Sequence, residues 1–405
     1  MAPRPSPALA LLPGLLALLL TGPGHGQPSP PTFPPAPPTS DPGGGPVPNP
    51  KPAMEPIRAV WMTLNDMATL RDRGRMQTAV EQLAGIGVRT IYAVAWNGGY
   101  AYYPSRVTAE RGLQHFTVVG LQGQPVLAEL IEVADRHGLR VIPWFEFGLM
   151  APPSSELALR HPQWLSQRRD GSTKSVSAAG EVVWLNPFRP EVQQLITELV
   201  LELVNLPGSA GVQFDDHMSL PSDFGYDPYT VALYTRESKR PPPADPQDPA
   251  WVKWRADRLT AFLVQLRQAV RATNPQAVVS VSPNYHDFAY KRQLQDWRAW
   301  VQRQVADEIV VQVYRDDPAS FERELDRPEL QPTAAAVPTA IGVMAGQRGR
   351  PVPLGRLEEQ VRASRRRGLG VAFFYFETLW QLAPEAPEQR RSALRRLLAE
   401  PVPTP

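Results

Sequence analysis

The chain has 405 residues, a formal net charge of +2 and no cysteine. Without cysteine it can form no disulfide, no zinc–thiolate site and no thiol nucleophile. The nearly balanced charge, without a large basic stripe, argues against nucleic acid as a partner.

The first 26 residues have the pattern of a secretory signal peptide. Arg4 precedes an apolar stretch over residues 8–20, and small residues follow at Gly24 and Gly26. A membrane-spanning helix is the alternative, but the apolar stretch is shorter than the ~20 residues that a bilayer requires. We therefore expect an exported protein that acts in the periplasm, in the cell envelope or outside the cell.

Residues 27–56 differ from the rest because proline recurs every two or three residues. This composition predicts a semi-extended, disordered linker that has no core of its own. Such a tether would bring the folded part close to a membrane or cell wall, although an inert spacer fits the composition equally well. Residues 57–400 remain for a single domain, which is enough chain to bury a large core.

Strand-like apolar runs alternate eight times with helix-like amphipathic segments through residues 57–400. This alternation predicts an α/β fold of the (β/α)8 TIM-barrel type. An open doubly wound sheet that binds a nucleotide would have a glycine-rich phosphate loop after the first strand, and residues 61–65 contain no such loop. The predicted strands are 57–62, 90–96, 140–147, 211–216, 278–284, 309–314, 340–344 and 371–377, and the predicted helices include 76–86, 126–137, 191–204, 254–272 and 357–367.

Alternation along each strand separates an apolar set of side chains from a polar one. On the fourth strand the polar set includes Asp215, and on the eighth strand the same pattern assigns Tyr375 and Glu377 to the polar set. One side of a barrel strand packs on helices and the other faces the interior. We expect the polar sets to line the mouth, where TIM-barrel enzymes carry their chemistry.

Acidic residues converge on this mouth, namely Asp215, Asp216, Glu146 and Glu377. Hydrolysis of a glycosidic bond requires two carboxyl groups, one that donates a proton and one that acts as nucleophile or base. Inward acids can instead pair with inward basic residues, but the predicted inward faces contain no basic residue. Our hypothesis makes Asp215 the nucleophile or base, Glu146 or else Glu377 the general acid, and Asp216 an orienting residue.

Aromatic and amide side chains crowd the same strand ends. Aromatic rings can stack on sugars and amides can bind hydroxyls, whereas filling of the barrel is the alternative for any single ring. A mouth rich in these groups and poor in cations favours a neutral polysaccharide over a phosphorylated substrate. The candidate substrate-binding residues are Trp61, Asn65, Trp96, Asn97, Trp144, His217, Asn284, Gln312 and Tyr314.

A metal site is the alternative use of some of these residues. Asp215, Asp216, His217 and His286 offer ligand atoms. The first strand lacks the paired histidines that a barrel metallohydrolase would place there, so we expect neither a metal ion nor another cofactor.

Several motifs in chain order resemble glycosyl hydrolase-like family 10, a family of bacterial envelope glycosidases. They are RAVWMT at 58–63, WN at 96–97, PWFEFG at 143–148, WLNP at 184–187, GVQFDDH at 211–217 and VQVY at 311–314. The resemblance extends from residue 56 to about residue 400. It implies a (β/α)8 hydrolase of the cell envelope, from a family whose characterised members act on peptidoglycan glycan strands, with a catalytic carboxylate at Asp215. Many members have asparagine at the position of Glu146, so this chain looks like the cyanobacterial-type members and Glu377 stays the rival proton donor.

Two other functions fit parts of the same pattern. A non-catalytic glycan-binding barrel would share the tether and the aromatic mouth, and only the cluster of acids without cations argues against it. A metal-dependent hydrolase or deacetylase is the second alternative, and loss of activity with a chelator would support it. Residues 223–249 are expected to form a long loop over the mouth.

Overall fold

The computed structural model describes residues 55–113, 124–177 and 180–400. The predicted signal peptide and nearly all of the predicted linker lie outside these residues, so both stay predictions. Within the described ranges, no helix combines the length and the apolar character needed to cross a membrane.

Eight parallel strands form a sheet that closes on itself, because the first strand pairs with both the second and the eighth. This closure confirms the predicted (β/α)8 TIM barrel. All eight predicted strands are present, and several end one to three residues earlier than the pattern indicated. The strands are β1 (Arg58–Met62), β2 (Thr90–Asn97), β3 (Arg140–Phe145), β4 (Gly211–Asp215), β5 (Val278–Ser282), β6 (Glu308–Gln312), β7 (Thr339–Met344) and β8 (Gly370–Phe374).

A ring of helices packs around the strands. Helix α1 shows how the sequence sets its ends: the Asp72 side chain accepts a hydrogen bond from the backbone N–H of Arg75, and the helix stops before Gly87, whose φ of 94° favours glycine. The outer helices are α1 (Arg73–Ile86), α2 (Val126–Arg136), α3 (Pro190–Val204), α4 (Pro249–Thr273), α5 (Trp297–Gln302), α6 (Pro318–Leu325), α7 (Leu354–Arg366) and α8 (Pro387–Ala399).

Short elements decorate the loops of the barrel. They include the antiparallel sheet of Met150–Ala151, Lys174–Ser177 and Gly180–Trp184, the strand Tyr100–Ala101 against β2, and the pair Gly346–Gln347 with Arg350–Pro351. The short helices are Met67–Leu70, Arg106–Glu110, Glu156–Arg160, Pro228–Ser238, His286–Gln293, Leu330–Ala336 and Phe376–Trp380, with 3-10 turns at Leu64–Asp66 and Pro162–Trp164.

A chain of hydrogen bonds crosses the barrel interior. The indole N–H of Trp61 donates to Oε1 of Gln213 at 2.7 Å, and the Gln213 amide donates to the Ser280 hydroxyl at 2.9 Å. The two hydrogen bonds link Trp61, Gln213 and Ser280 in the buried interior, where polar groups need partners. The contacts confirm that the polar sets of β4 and β5 face inward.

The predicted alternation is wrong on β8. The Phe374 ring lies 5.9 Å from the Trp61 ring and 5.4 Å from the Tyr314 ring, so Phe374 faces the interior. The strand ends at this residue, and Tyr375 and Glu377 belong to the turn and short helix that follow. The error arose because the prediction extended the two-residue alternation of side chains beyond Phe374, where the strand ends.

A β-bulge changes the direction of the side chains at the end of β2. Val94 pairs with Trp144, but Trp96 pairs with Phe145, so Ala95 is an extra residue on this strand. The Trp96 ring consequently lies on the helix side, 6.2 Å from the Phe145 ring, and its N–H donates to the Gly148 carbonyl. The predicted position of Trp96 in the mouth is therefore wrong.

A buried arginine anchors the segment that follows β4. The Arg255 guanidinium donates to the carbonyls of Ser222, Phe224 and Pro246 and lies 4.4 Å from the Trp251 ring. Burial lowers the pKa of Arg255 to about 9. The predicted loop 223–249 is thus partly helical, through Pro228–Ser238, and is fixed to α4.

Candidate active site

His217 holds both carboxylate oxygens of Asp215, the last residue of β4. Its backbone N–H donates to Oδ1 at 2.8 Å, and its ring Nδ1 lies 2.8 Å from Oδ2. Nδ1 also lies 3.1 Å from the backbone carbonyl of Glu146. Since both neighbours of Nδ1 are acceptors, this nitrogen carries the proton. The loops after β3 and β4 thus meet at one imidazole.

The electrostatics of this pair follow from burial and close charges. Burial raises the pKa of Asp215 to about 7, although the charge and hydrogen bonds of His217 act in the opposite direction. Burial alone would lower the pKa of His217, but the carboxylates of Asp215 and Asp216 raise it to about 10. A cationic imidazole therefore lies against Asp215 at neutral pH.

Glycine is required where the β3 loop passes the β4 loop. Gly148 has a φ of 41°, and a Cβ at this position would lie 2.5 Å from the His217 carbonyl oxygen. The same carbonyl accepts the N–H of Leu149 at 3.0 Å. The final glycine of the PWFEFG motif thus lets the two loops approach closely enough to share His217.

Glu146 enters the site from the loop that follows β3. The Asn97 amide donates to its Oε2 at 2.8 Å, and the bulge at Ala95 is what turns Asn97 toward this group. Burial raises the pKa of Glu146 to about 7, with a further contribution from Asp215, while the hydrogen bond from Asn97 acts against the increase. Two carboxyl groups with raised pKa therefore belong to one site.

Three side-chain amides surround Asp216. Asn284 and Gln293 donate to its Oδ2 at 2.9 and 3.3 Å, and Gln312 donates to Oδ1 at 3.1 Å. The Gln312 amide also donates to the Ser282 carbonyl. Asn284 and Gln312, predicted as substrate ligands, thus position an acid. Gln293 was missed because it lies at the end of a helix, far from any strand end.

Glu377 forms an ion pair with Arg348. Its two carboxylate oxygens accept hydrogen bonds from Nε and Nη2 of Arg348 at 2.8 and 3.0 Å. Arg348 lies between the two short strands that follow β7. It is therefore not on any of the barrel-strand faces from which the prediction was made. The expectation that this acid lacks a basic partner is therefore wrong.

Asp66, beside Glu377, was not predicted as a site residue. It is buried after β1, and its carboxylate accepts the backbone N–H groups of Thr63 at 2.7 Å and Glu377 at 2.8 Å. Burial raises its pKa to about 8, with contributions from the charges of Glu377 and Glu146. Threonine followed three residues later by an acid, directly after a strand, is the capping-box signal that could have identified it.

The predicted aromatic residues separate into two groups. Tyr314 is half-buried, and its burial together with the charges of Asp216 and Asp215 raises its pKa well above its ordinary value. Trp61 and Trp144 face the interior, where they are 1% and 3% exposed. Both rings pack in the barrel interior, and their assignment as substrate-binding residues stays a prediction. Asn65 lies apart from Asp215, in a separate cleft.

Asp215, Asp216 and His217 place ligand atoms within 4.8 Å of one another, as a metal site would require. All three side chains already form hydrogen bonds with protein groups. Acid–base chemistry by the carboxyl groups of Glu146 and Asp215 needs no cofactor. The expectation that the protein has no metal ion or other cofactor stays a prediction.

A model of the family described as glycosyl hydrolase-like 10 matches residues 56–362 of the chain. Glycosyl hydrolase DigH of Escherichia coli K12 is 24% identical over an alignment of 307 residues, which covers 64% of this chain and 66% of that protein. DigH of Shigella flexneri gives the same values. The match thus spans slightly less than two thirds of the length of these relatives.

Solved structures share the fold. The PgaB (BpsB) glycoside hydrolase domain from Bordetella bronchiseptica has a TM-score of 0.63 at 16% identity, covering 85% of this chain and 99% of that one. An α-L-fucosidase isoenzyme 2 from Paenibacillus thiaminolyticus has a TM-score of 0.59 at 16% identity, covering 85% and 49%. At these sequence identities, the similarity shows a shared barrel fold.

Proposed function

Because the chain belongs to the glycosyl hydrolase-like 10 family, we propose that it is a glycoside hydrolase of a cell-envelope polysaccharide, with peptidoglycan glycan strands as the candidate substrate. The observation that carries this proposal is the pair Glu146 and Asp215, two carboxyl groups of raised pKa at the carboxyl ends of the neighbouring strands β3 and β4. Such a pair meets the chemical requirement of glycosidic cleavage. The names of the relatives, a glycosyl hydrolase and a glycoside hydrolase domain, support the same reaction class.

Glu146 is the general acid in this proposal. Its raised pKa retains the proton that must pass to the glycosidic oxygen as the bond to the anomeric carbon breaks. Asn97 fixes the carboxyl group in position. Glu377 fits the role less well, because both of its carboxylate oxygens already accept hydrogen bonds from Arg348.

Asp215 is the nucleophile or the base. It either attacks the anomeric carbon itself or takes a proton from the attacking water, and the configuration of the product distinguishes these routes. His217 supports the charged carboxylate through its ring and its backbone N–H. Asp216, fixed by three amides, is suited to orient a sugar hydroxyl.

The test is release of fragments from purified peptidoglycan glycan strands, with and without peptide stems. We expect the full chain to release fragments and its Asp215→Asn form to release none. Binding without release by both proteins would favour a non-catalytic glycan-binding barrel, and loss of release with a chelator would favour metal-dependent hydrolysis. Failure to bind either form of the strands would contradict the proposed substrate.

The proposed site of action is outside the cytoplasm, on the basis of the signal-peptide pattern and the proline-rich segment in the first 56 residues. Cell fractionation with amino-terminal sequencing tests this localisation. We expect a mature protein that starts near residue 27, and recovery of the uncleaved chain only from the cytoplasm would contradict export.

A further inference from the structure

A second cleft lies beside the mouth, where the loops after β1 and β8 meet. Its volume is about 900 Å³. Helix α1 lines one wall, and α8 with the short helix Phe376–Trp380 lines the other. The polar side chains around it include those of Asn65, Thr78, Gln82, Gln381 and Arg391.

This cleft adjoins the acids of the mouth. Asp66 and Glu377 line it, and they are joined by the hydrogen bond from the Glu377 backbone to the Asp66 carboxylate. Arg348 donates to both Glu377 and the carbonyl of Asn65. The backbone of Leu64, which contacts the Glu146 carboxyl group, directly precedes Asn65 and Asp66 in the turn that lines the cleft. One short turn therefore separates the cleft from Glu146.

Unused hydrogen-bonding groups face this space. Over residues 55–113, 124–177 and 180–400, the side-chain amides of Asn65, Gln82 and Gln381 have no hydrogen-bond partner, although Gln82 is half-buried. An amide offers both donors and an acceptor, which match the hydroxyl and acetamido groups of sugars. Asn65 and Gln381 are exposed, so their amides are accessible to a ligand as well as to water.

The charges of the cleft are largely balanced. Arg75 lies 3.8 Å from the Asp72 carboxylate, Arg391 pairs with Glu388, and Glu377 pairs with Arg348. A cleft meant for phosphate or for a strongly anionic polymer would keep unpaired cations. The balance of charge and the free amides together favour an uncharged ligand.

We propose that this cleft binds uncharged sugar units of the same glycan strand, at a distance from the bond that is cleaved in the mouth. This inference rests on the proposed function, because it treats the mouth as the site of glycan cleavage. In this proposal, Asn65, Gln82 and Gln381 bind the additional sugar units, so that the protein prefers long strands to short oligosaccharides.

The first test measures retention of the full chain carrying Asp215→Asn on immobilised glycan strands without peptide stems. Adding Gln82→Ala or Gln381→Ala should weaken retention by about fivefold each, which corresponds to one net hydrogen bond. Thr78→Trp should block the cleft and weaken retention by about 25-fold, which corresponds to the loss of two such bonds. Gln77→Trp is the matched control, since this residue is exposed on the same helix but does not line the cleft. Equal retention of all variants, or no retention of any, would overturn the proposal.

The second test uses the active chain on long strands and on a tetrasaccharide cut from them. Thr78→Trp should raise the KM for long strands while the KM for the tetrasaccharide and both kcat values stay unchanged. An equal change for both substrates would contradict a distant subsite. If the active chain releases no product from any strand, the proposed function fails, and the retention test still decides whether the cleft binds glycan.

Discussion

The ring Nδ1 of His217 lies 2.8 Å from Oδ2 of Asp215, while the backbone N–H of the same histidine donates to Oδ1 at 2.8 Å. One residue thus fixes both the position and the charge of the acid at the end of β4. Replacing Asp215 should therefore lower the reaction rate, whereas replacing His217 should shift the pH dependence of that rate.

Asp215→Asn should lower kcat/KM on glycan strands by about a thousandfold or more, because the shape is retained while the negative charge is lost. Initial rates of fragment release measure this effect. Asp223→Asn is the matched control, since Asp223 is a second aspartate of the segment after β4 and is paired with Arg168. An Asp215→Asn activity within tenfold of wild type would contradict the assignment.

The pH profile of kcat/KM should be bell-shaped and centred near pH 7. Activity should fall below this value as Asp215 takes up a proton and above it as Glu146 loses one, since both pKa values are raised to about 7. His217→Gln removes a cation that lowers the pKa of both acids, so both limbs should move to higher pH. His161→Gln, which changes a histidine stacked on Trp164, should leave the profile in place.

The two candidate proton donors differ in their dependence on the leaving group. Glu146→Gln should slow cleavage of unactivated strands by about a hundredfold or more, and should slow an activated aryl glycoside far less, because a good leaving group needs little protonation. Glu377→Gln should reduce the two rates equally and weakly. Rates on both substrates decide between them, and a leaving-group dependence that appears only in Glu377→Gln would reverse the assignment.

Asp66 should make the folded state less stable as pH rises. Its pKa is about 8 in the folded protein against an ordinary 3.8, so between these values the folded state holds a proton that the unfolded state has released. The free energy of unfolding then falls with rising pH, by about 1.4 kcal/mol per pH unit for one proton. Asp66→Asn should flatten this slope between pH 5 and 8 in urea unfolding. Parallel slopes for wild type and Asp66→Asn would contradict a protonated Asp66.

The barrel could be predicted from sequence because burial imposes a visible period on each segment. Val279 and Val281 alternate with Ser280 and Ser282, and the structure places the two sets on opposite sides of β5. The acids of the mouth could be predicted for the same reason, since Glu146 and Asp215 lie at or just after strand ends.

Errors arose where a position depends on a distant part of the chain. The bulge at Ala95 is defined by pairing with β3, and no local pattern marks it. The partner of Glu377 comes from a loop between other strands, and Gln293 reaches Asp216 from the end of a helix. Such contacts depend on tertiary packing, which the two-residue period cannot report.

The single extra residue at Ala95 also affects how related sequences should be aligned. In a homologue that lacks this insertion, the tryptophan of the Trp-Asn pair would point into the mouth and the asparagine would point away from the position of Glu146. An ungapped alignment would then equate side chains on opposite sides of the strand. Correct alignment of β2 requires a gap at this point, and a conserved asparagine at the position of Asn97 has functional meaning only in members that retain the bulge.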